Sequence, residues 1–225
     1  MIQPTVTVDL VSDVACPWCY LGKRRLERAI ELVPEIRVAV RWQPYRLDPT
    51  IPPEGMDRND YIIRKFGSLE ALDEAHKRMT DFGHAEGVDY HFERITRSAN
   101  TINAHRLVRW AAATGAEDAM VERLFAAYFS EGLDIGSIEV LATLAGAIGL
   151  DAEVTAKRLS GDEDREAVAG AIEDAYRIGV TGVPCFIIDQ KYAVMGAHPA
   201  ESLARSITQA ASERAAAAPQ PVSAN

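Results

Sequence analysis

Two cysteines three positions apart, in Cys16-Pro17-Trp18-Cys19, are the residues of this chain best suited to chemistry. A thiolate is the attacking species in disulfide exchange, and the unpaired N–H groups and dipole of a helix N-terminus stabilise one placed there. Cys16 stands at such a place. Pro17 suits the first helical position, where no backbone donor is needed, and Cys19 falls one turn later on the same face, close enough to reach back. The pair therefore reads as a nucleophile, Cys16, nearer the helix end and more exposed, with Cys19 as the resolving thiol. Two other readings compete. A zinc site would need four ligands, such as Cys16, Cys19, Cys185 and His198, whereas structural zinc sites more often pair two knuckles, so no metal is expected. Inert core cysteines are the usual fate of a lone Cys, but a CxxC beside a βαβ pattern is harder to treat so.

A second stretch supports redox chemistry: Gly179-Val180-Thr181-Gly182-Val183-Pro184 stands directly before strand-like VPCFIID. Proline is tolerated at a strand's first residue, and a cis X-Pro bond marks a tight functional turn. With that bond cis, the Val183 backbone could pair with an extended substrate chain beside Cys16. Val183, Pro184 and Trp18 are thus the expected substrate-binding residues; a plain strand-initiating proline is the alternative. In ANTINAHR, Asn100, Asn103, His105 and Arg106 could line a pocket, although His105, at helical spacing from Ile102 and Val108, equally suits a hydrogen-bonded structural role. His76, His84, His91 and His198 have no metal-like spacing, and the acidic run from Gly161 to Glu166 reads as a solvated helix start. Asp13 is a carboxylate that could serve Cys19 as a base.

These residues need elements to hold them. Thr5–Ser12 alternates with Val6, Val8 and Leu10 on one side, and Val38–Trp42 repeats the pattern. Between them Leu21, Leu26, Ala29, Ile30 and Val33 keep helical spacing up to Pro34, giving β-α-β with Cys16 at the first junction. The proline-rich stretch 44–55 leaves this unit as a loop, and residues 59–178 are mostly helical pattern. Glycines 67, 115, 132, 149, 161 and 179 fall where helices should stop, with Ser68, Ser137 and Asp151 as starts. A hairpin turning at Gln190-Lys191 follows, then a helix opened by Pro199 and Glu201, then a tail, 215–225, expected to be disordered.

The bulk properties fit a globular protein: 225 residues, 48% apolar, 25% charged and a net charge of -9, which argues against a nucleic-acid or anionic-membrane partner. The start, MIQPTVTVDLVSD, has no basic-then-apolar leader and no later run reaches membrane-spanning length, so the expected location is cytoplasmic. Three cysteines make no disulfide framework in such a compartment.

At CPWC and GVP the chain resembles the thioredoxin superfamily, within it the DsbA-like group. SDVACPWCYLGKRRLE, ANTINAHRLVRWA, EGLDIGSIEVLATLAGAIGLD and TGVPCFIID look more closely like its FrnE-like branch, described as polyketide-biosynthesis dithiol-disulfide isomerases. The resemblance implies an α/β, thioredoxin-like fold from residues 1–55 and 163–225, with residues 56–162 as an inserted α-helical domain. It makes Cys16 the attacking and Cys19 the resolving cysteine, and Pro184 the cis-proline beside Val183. Cys185 departs from the pattern, which commonly has an aromatic there. It is expected as a small buried apolar residue, with a third thiol able to perturb Cys16 as the lesser reading.

The expected activity is that of a thiol-disulfide oxidoreductase or isomerase acting on protein or small-molecule disulfides through a mixed disulfide, without a cofactor. Glutathione is a possible co-substrate, and glutathione or a thioredoxin-type protein a possible electron partner. A glutathione-dependent isomerase or transferase, resembling 2-hydroxychromene-2-carboxylate isomerases and kappa-class glutathione transferases, is the alternative; those families typically carry serine at the position of Cys16. A non-enzymatic chaperone or binding module is the third reading. The oligomeric state is not legible.

Overall fold

Residues 5–217 are described by a computed structural model of the chain. The elements follow as Thr5–Ser12 (β1), Pro17–Glu31 (α1), Arg37–Pro44 (β2), Met56–Asp57 (β3), Arg58–Phe66 (α2), Asp73–Ala85 (α3) and Arg97–Ser98 (β4). Then come Ile102–Ala112 (α4), Glu117–Phe129 (α5), Ile138–Ala147 (α6), Ala152–Ser160 (α7), Arg165–Arg177 (α8), Cys185–Ile188 (β5), Tyr192–Met195 (β6) and Ala200–Ala217 (α9). The main sheet has the order β2-β1-β5-β6, with β1 parallel to β2 and antiparallel to β5. Its central pairing thus joins strands from the two ends of the chain, and it is this pairing that brings Pro184, just before β5, to the start of α1.

The alternation of β1 sends Val6, Val8 and Leu10, each fully buried, toward the face covered by α1 and α9. Val11 and Cys185, paired across β1 and β5, face the other way with Tyr45, Ala175 and Val180. The larger core does not stop at the sheet: Leu21 and Leu26 of α1 share one cluster with Phe125 and Phe129 of α5 and Leu141 of α6. Each such fully buried Leu or Phe side chain contributes about 1.5–3 kcal/mol. A charged seam adds to the contact between α1 and α5. Lys23, only 2% exposed, meets Glu27, Asp118 at 3.2 Å and Glu122 at 3.1 Å.

Helix starts at Ser137 and Asp151 are capped as read, their side chains accepting from Val140 and Val154 amides. Ser68 starts no long helix. A 3-10 turn over Glu70–Leu72 interrupts the segment before α3, and this break lets Leu72 pack on the small cluster of Ile51, Tyr61 and Ile62. The final hairpin turns one residue earlier than expected: Lys191 donates to the Ile188 carbonyl at 3.0 Å around Asp189 and Gln190, at φ 50° and 59°. Asp tolerates that left-handed conformation through its short polar side chain. Residues 215–217 of the tail expected to be disordered close α9, and the remainder lies outside the described residues.

Candidate active site

Cys16 is the N-cap of α1, with extended φ and ψ of -100° and 114°, and its amide donates to the Asp13 carbonyl at 2.9 Å. Pro17 occupies the first turn, as its missing donor allows. Cys19 donates its amide to the Cys16 carbonyl at 3.0 Å, so the two residues share one turn, and all three cysteines are free thiols. The expectation that Cys16 is the more exposed holds only marginally: 2% against 0% for Cys19. Tyr90 contributes to the cover, packing near both sulfurs and donating its hydroxyl to the Pro17 carbonyl at 2.7 Å. The exposed member of the stretch is Trp18, at 43%.

The Val183-Pro184 bond is cis, and the Cys16 thiol points at the Val183 carbonyl oxygen, 3.8 Å away. Gly22 makes room for this approach, since a Cβ there would stand 2.9 Å from Pro184 Cγ. The sequence-predicted residues Cys16, Cys19, Trp18, Val183 and Pro184 are therefore gathered at one end of α1. Cys185 is not among them. Its side chain lies on the opposite face of the sheet, where burial pushes its thiol up, and it can neither act as a third thiol nor join a zinc set with Cys16 and Cys19. Among the described residues no three His, Cys, Asp or Glu side chains converge as metal ligands.

Burial, then the adjoining Cys16, push the Cys19 thiol well above its ordinary range, against the pull of the Ser12 hydroxyl and the Asp13 backbone. The Asp13 carboxylate is engaged elsewhere: it accepts from the amides of Ala15 at 3.2 Å and Leu47 at 2.7 Å, with His105 Nε2 3.6 Å off. It braces the loop leading into the pair.

Beside Trp18 lies a cleft of about 380 Å³ with Tyr61, Phe66, Phe82 and Phe92 in its walls. Arg58, Arg78 and His76 also border it, and sequence reasoning gave none of these three a part. Arg58 rests on Tyr61 with its guanidinium 5.6 Å from the ring centre, and His76 stacks on Phe92 at 4.1 Å. Among the described residues neither arginine has a carboxylate partner within 4.0 Å.

The ANTINAHR residues mostly build structure. Arg106, fully buried, donates to the carbonyls of Arg158, Leu159, Gly161 and Glu163 and to Asn103 Oδ1, closing the C-terminus of α7. Asn100 bridges the Ile51 carbonyl and Ile102 amide. The run after Gly161 is not simply solvated either, for Asp164 accepts from Trp110 Nε1 at 2.8 Å and Arg109 at 3.2 Å.

A fold with a CxxC thiol pair capping its first helix and a cis-proline loop opposite is the arrangement of a disulfide-exchange protein. The chain belongs to the DSBA-like thioredoxin domain family, matched over residues 7–208, and is an enzyme of the disulfide oxidoreductase and isomerase class. A probable DsbA oxidoreductase from Streptomyces coelicolor is 31% identical, with a TM-score of 0.84 over 96% of this chain and 93% of that one. The uncharacterized protein YwbO of Bacillus subtilis is 30% identical over 82% of this chain and 87% of its own length. By fold alone, 2-hydroxychromene-2-carboxylate isomerase is similar too, at 16% identity and a TM-score of 0.71, over 95% of this chain and 100% of that one.

Proposed function

We propose that the enzyme works through Cys16 and Cys19 as a thiol-disulfide oxidoreductase or isomerase of protein or small-molecule disulfides. The Cys16 thiolate attacks one sulfur of a substrate disulfide, the other sulfur leaves with the bonding electron pair and takes up a proton, and a mixed disulfide remains. Cys19 then loses its proton and attacks Cys16, expelling the second substrate thiol and leaving the Cys16–Cys19 disulfide. The enzyme is oxidised by two electrons and the substrate reduced; the reverse order oxidises a dithiol.

The observation carrying this reading is the 3.8 Å approach of the Cys16 thiol to the Val183 carbonyl, with Cys19 one helical turn behind. Val183 and Pro184 would hold the substrate chain, and the Trp18 cleft its flank. Residues 56–162, inserted between the two halves of a thioredoxin-like domain, would supply that cleft's outer wall. Arg58 and Arg78, which have no carboxylate partner among the described residues, favour an anionic substrate or electron partner in a chain of net charge -9, with glutathione fitting that description. We place the enzyme in the cytoplasm, in a FrnE-like branch; no described helix is long and apolar enough to cross a membrane.

Equilibration in glutathione redox buffers, read by Trp18 fluorescence, tests the reading. A two-electron transition that Cys19→Ser abolishes is expected; its absence in the native enzyme would refute the redox pair.

A further inference from the structure

Away from the thiol pair, a buried histidine carries a polar atom that the fold leaves unmatched. The Tyr45 carbonyl accepts from Nε2 of His105 at 3.0 Å, so in the neutral imidazole the lone pair sits on Nδ1. His105 is 6% exposed, and among the described residues its Nδ1 has no hydrogen-bond partner, which buried polar atoms seldom lack. Nor is this nitrogen sealed off. The unpartnered side-chain atoms that are fully covered are Ser12 Oγ, Trp42 Nε1 and Glu122 Oε2, and His105 Nδ1 is not one of them. The open surface it keeps faces the cavity whose wall His105 helps to form.

That cavity, of about 680 Å³, opens at the β2 edge of the sheet between α4, α5 and α8, and it shares no wall residue with the cleft beside Trp18. Small-molecule sites occupy about 300–1,000 Å³. Most of the wall is apolar, with Val14, Trp42, Val108, Val121, Val168 and Ala171. Each of its three arginines already faces a carboxylate: Arg41 meets Asp9 at 2.6 Å, Arg109 meets Asp164 at 3.2 Å and Arg158 meets Glu163 at 2.6 Å. Glu117, half-buried at the start of α5, has no such partner within 4.0 Å among the described residues. Burial and the like charge of Asp118 raise its pKa against the pull of the Trp42 amide. The polar groups left unmatched in this apolar space are therefore two acceptors, one of them acidic. They suit a ligand with an apolar body and two donors, one of them positively charged.

We infer that this cavity binds a small aromatic amine that also carries a hydroxyl group. The ring lies against the apolar wall, the ammonium donates to the Glu117 carboxylate, and the hydroxyl donates to His105 Nδ1. An anion of the same size would set its charge against Glu117 and meet only arginines that are already paired. The site stands apart from the disulfide chemistry and does not rest on the roles of Cys16 and Cys19.

Calorimetric titration of the full chain with tyramine, at mildly alkaline pH, tests the site. Three analogues each change one end: phenethylamine lacks the hydroxyl, 4-ethylphenol lacks the ammonium, and 3-(4-hydroxyphenyl)propionate reverses the charge. Tyramine is expected to bind about tenfold more tightly than either of the first two, and the propionate to bind most weakly. Glu117→Gln should weaken tyramine about tenfold and 4-ethylphenol less than about twofold. With ¹⁵N-labelled histidine, the His105 Nδ1 resonance should move on addition of tyramine and stay in place with phenethylamine. Ala171→Phe fills the cavity and should abolish binding, with a thermal melt to check the fold; Glu117→Gln, a half-buried change of charge alone, keeps the test independent of that variant. No binding of tyramine to the native chain, equal affinity for tyramine and the propionate, native affinity in Glu117→Gln, an unmoved Nδ1 resonance, or unchanged binding in folded Ala171→Phe would each overturn the assignment.

Discussion

The His105 imidazole on α4 donates through Nε2 to the carbonyl oxygen of Tyr45, 3.0 Å away, just beyond β2. A carbonyl can only accept, so that nitrogen carries a hydrogen. The bond ties α4 to the loop whose Leu47 amide reaches Asp13, and so to the approach to Cys16. Both partners are buried. His105→Leu should leave the Tyr45 carbonyl orphaned and lower stability by about 2 kcal/mol, measured by urea unfolding at neutral pH.

Gly22 sits inside a helix, where alanine ordinarily gains about 1 kcal/mol. Here the sign should reverse. An added Cβ would stand 2.9 Å from Pro184 Cγ and 3.2 Å from Phe186 Cζ, so Gly22→Ala must push the cis-proline loop away from α1. A loss of about 1–3 kcal/mol is expected in thermal denaturation, with slower attack of Cys16 on a chromogenic aromatic disulfide, read from the coloured thiolate it releases.

Acid should weaken the loop after β2. Burial alone would raise the Asp48 pKa, but the Thr50 hydroxyl and amide and the Lys65 ammonium outweigh it and bring it to about 2, from 3.8. A carboxyl whose folded pKa is depressed contributes stability above its unfolded pKa and loses it as pH falls through the folded one. Asp48→Asn should therefore be less stable than the native chain at pH 6. The gap should close as pH falls from about 4 toward 2, and urea midpoints at the two ends will show it.

Arg58 and Arg78 should set a preference for negative charge in the cleft beside Trp18. Arg58→Gln with Arg78→Gln is expected to raise KM for oxidised glutathione about tenfold, equivalent to about 1.4 kcal/mol, and to change KM for an uncharged disulfide far less. Steady-state kinetics with the two substrates compare them directly, and equal effects on both would count against a charge-selective cleft.

Much of this site could be read from spacing. CPWC and Val183-Pro184 are local signals, and the period-two strands and helical runs around them determine which ends meet. What escaped was set by distance in the chain. Arg58, Arg78 and His76 gain meaning only when α2 and α3 fold against Trp18, and nothing in their own neighbourhoods marks them. Arg106 was read as a pocket residue because a polar residue on an apolar helix invites that reading, while its partners are carbonyls more than fifty positions away. The two-residue pairing of β3 with β4 is too short for any periodicity to announce it.

The order β2-β1-β5-β6 also bears on how the protein is made. As the chain leaves the ribosome, β1, α1 and β2 emerge together, but the partner for the second edge of β1 is not translated until residues 185–188. Val6, Val8 and Leu10 wait as long for α9, which is synthesised last among the described elements. Throughout that interval the nascent chain carries a bare, apolar strand edge, the kind of surface that pairs with the wrong neighbour. Newly made copies should therefore be most vulnerable to aggregation during translation, and slow synthesis of the final segment should lower the yield of native enzyme more than slowing elsewhere.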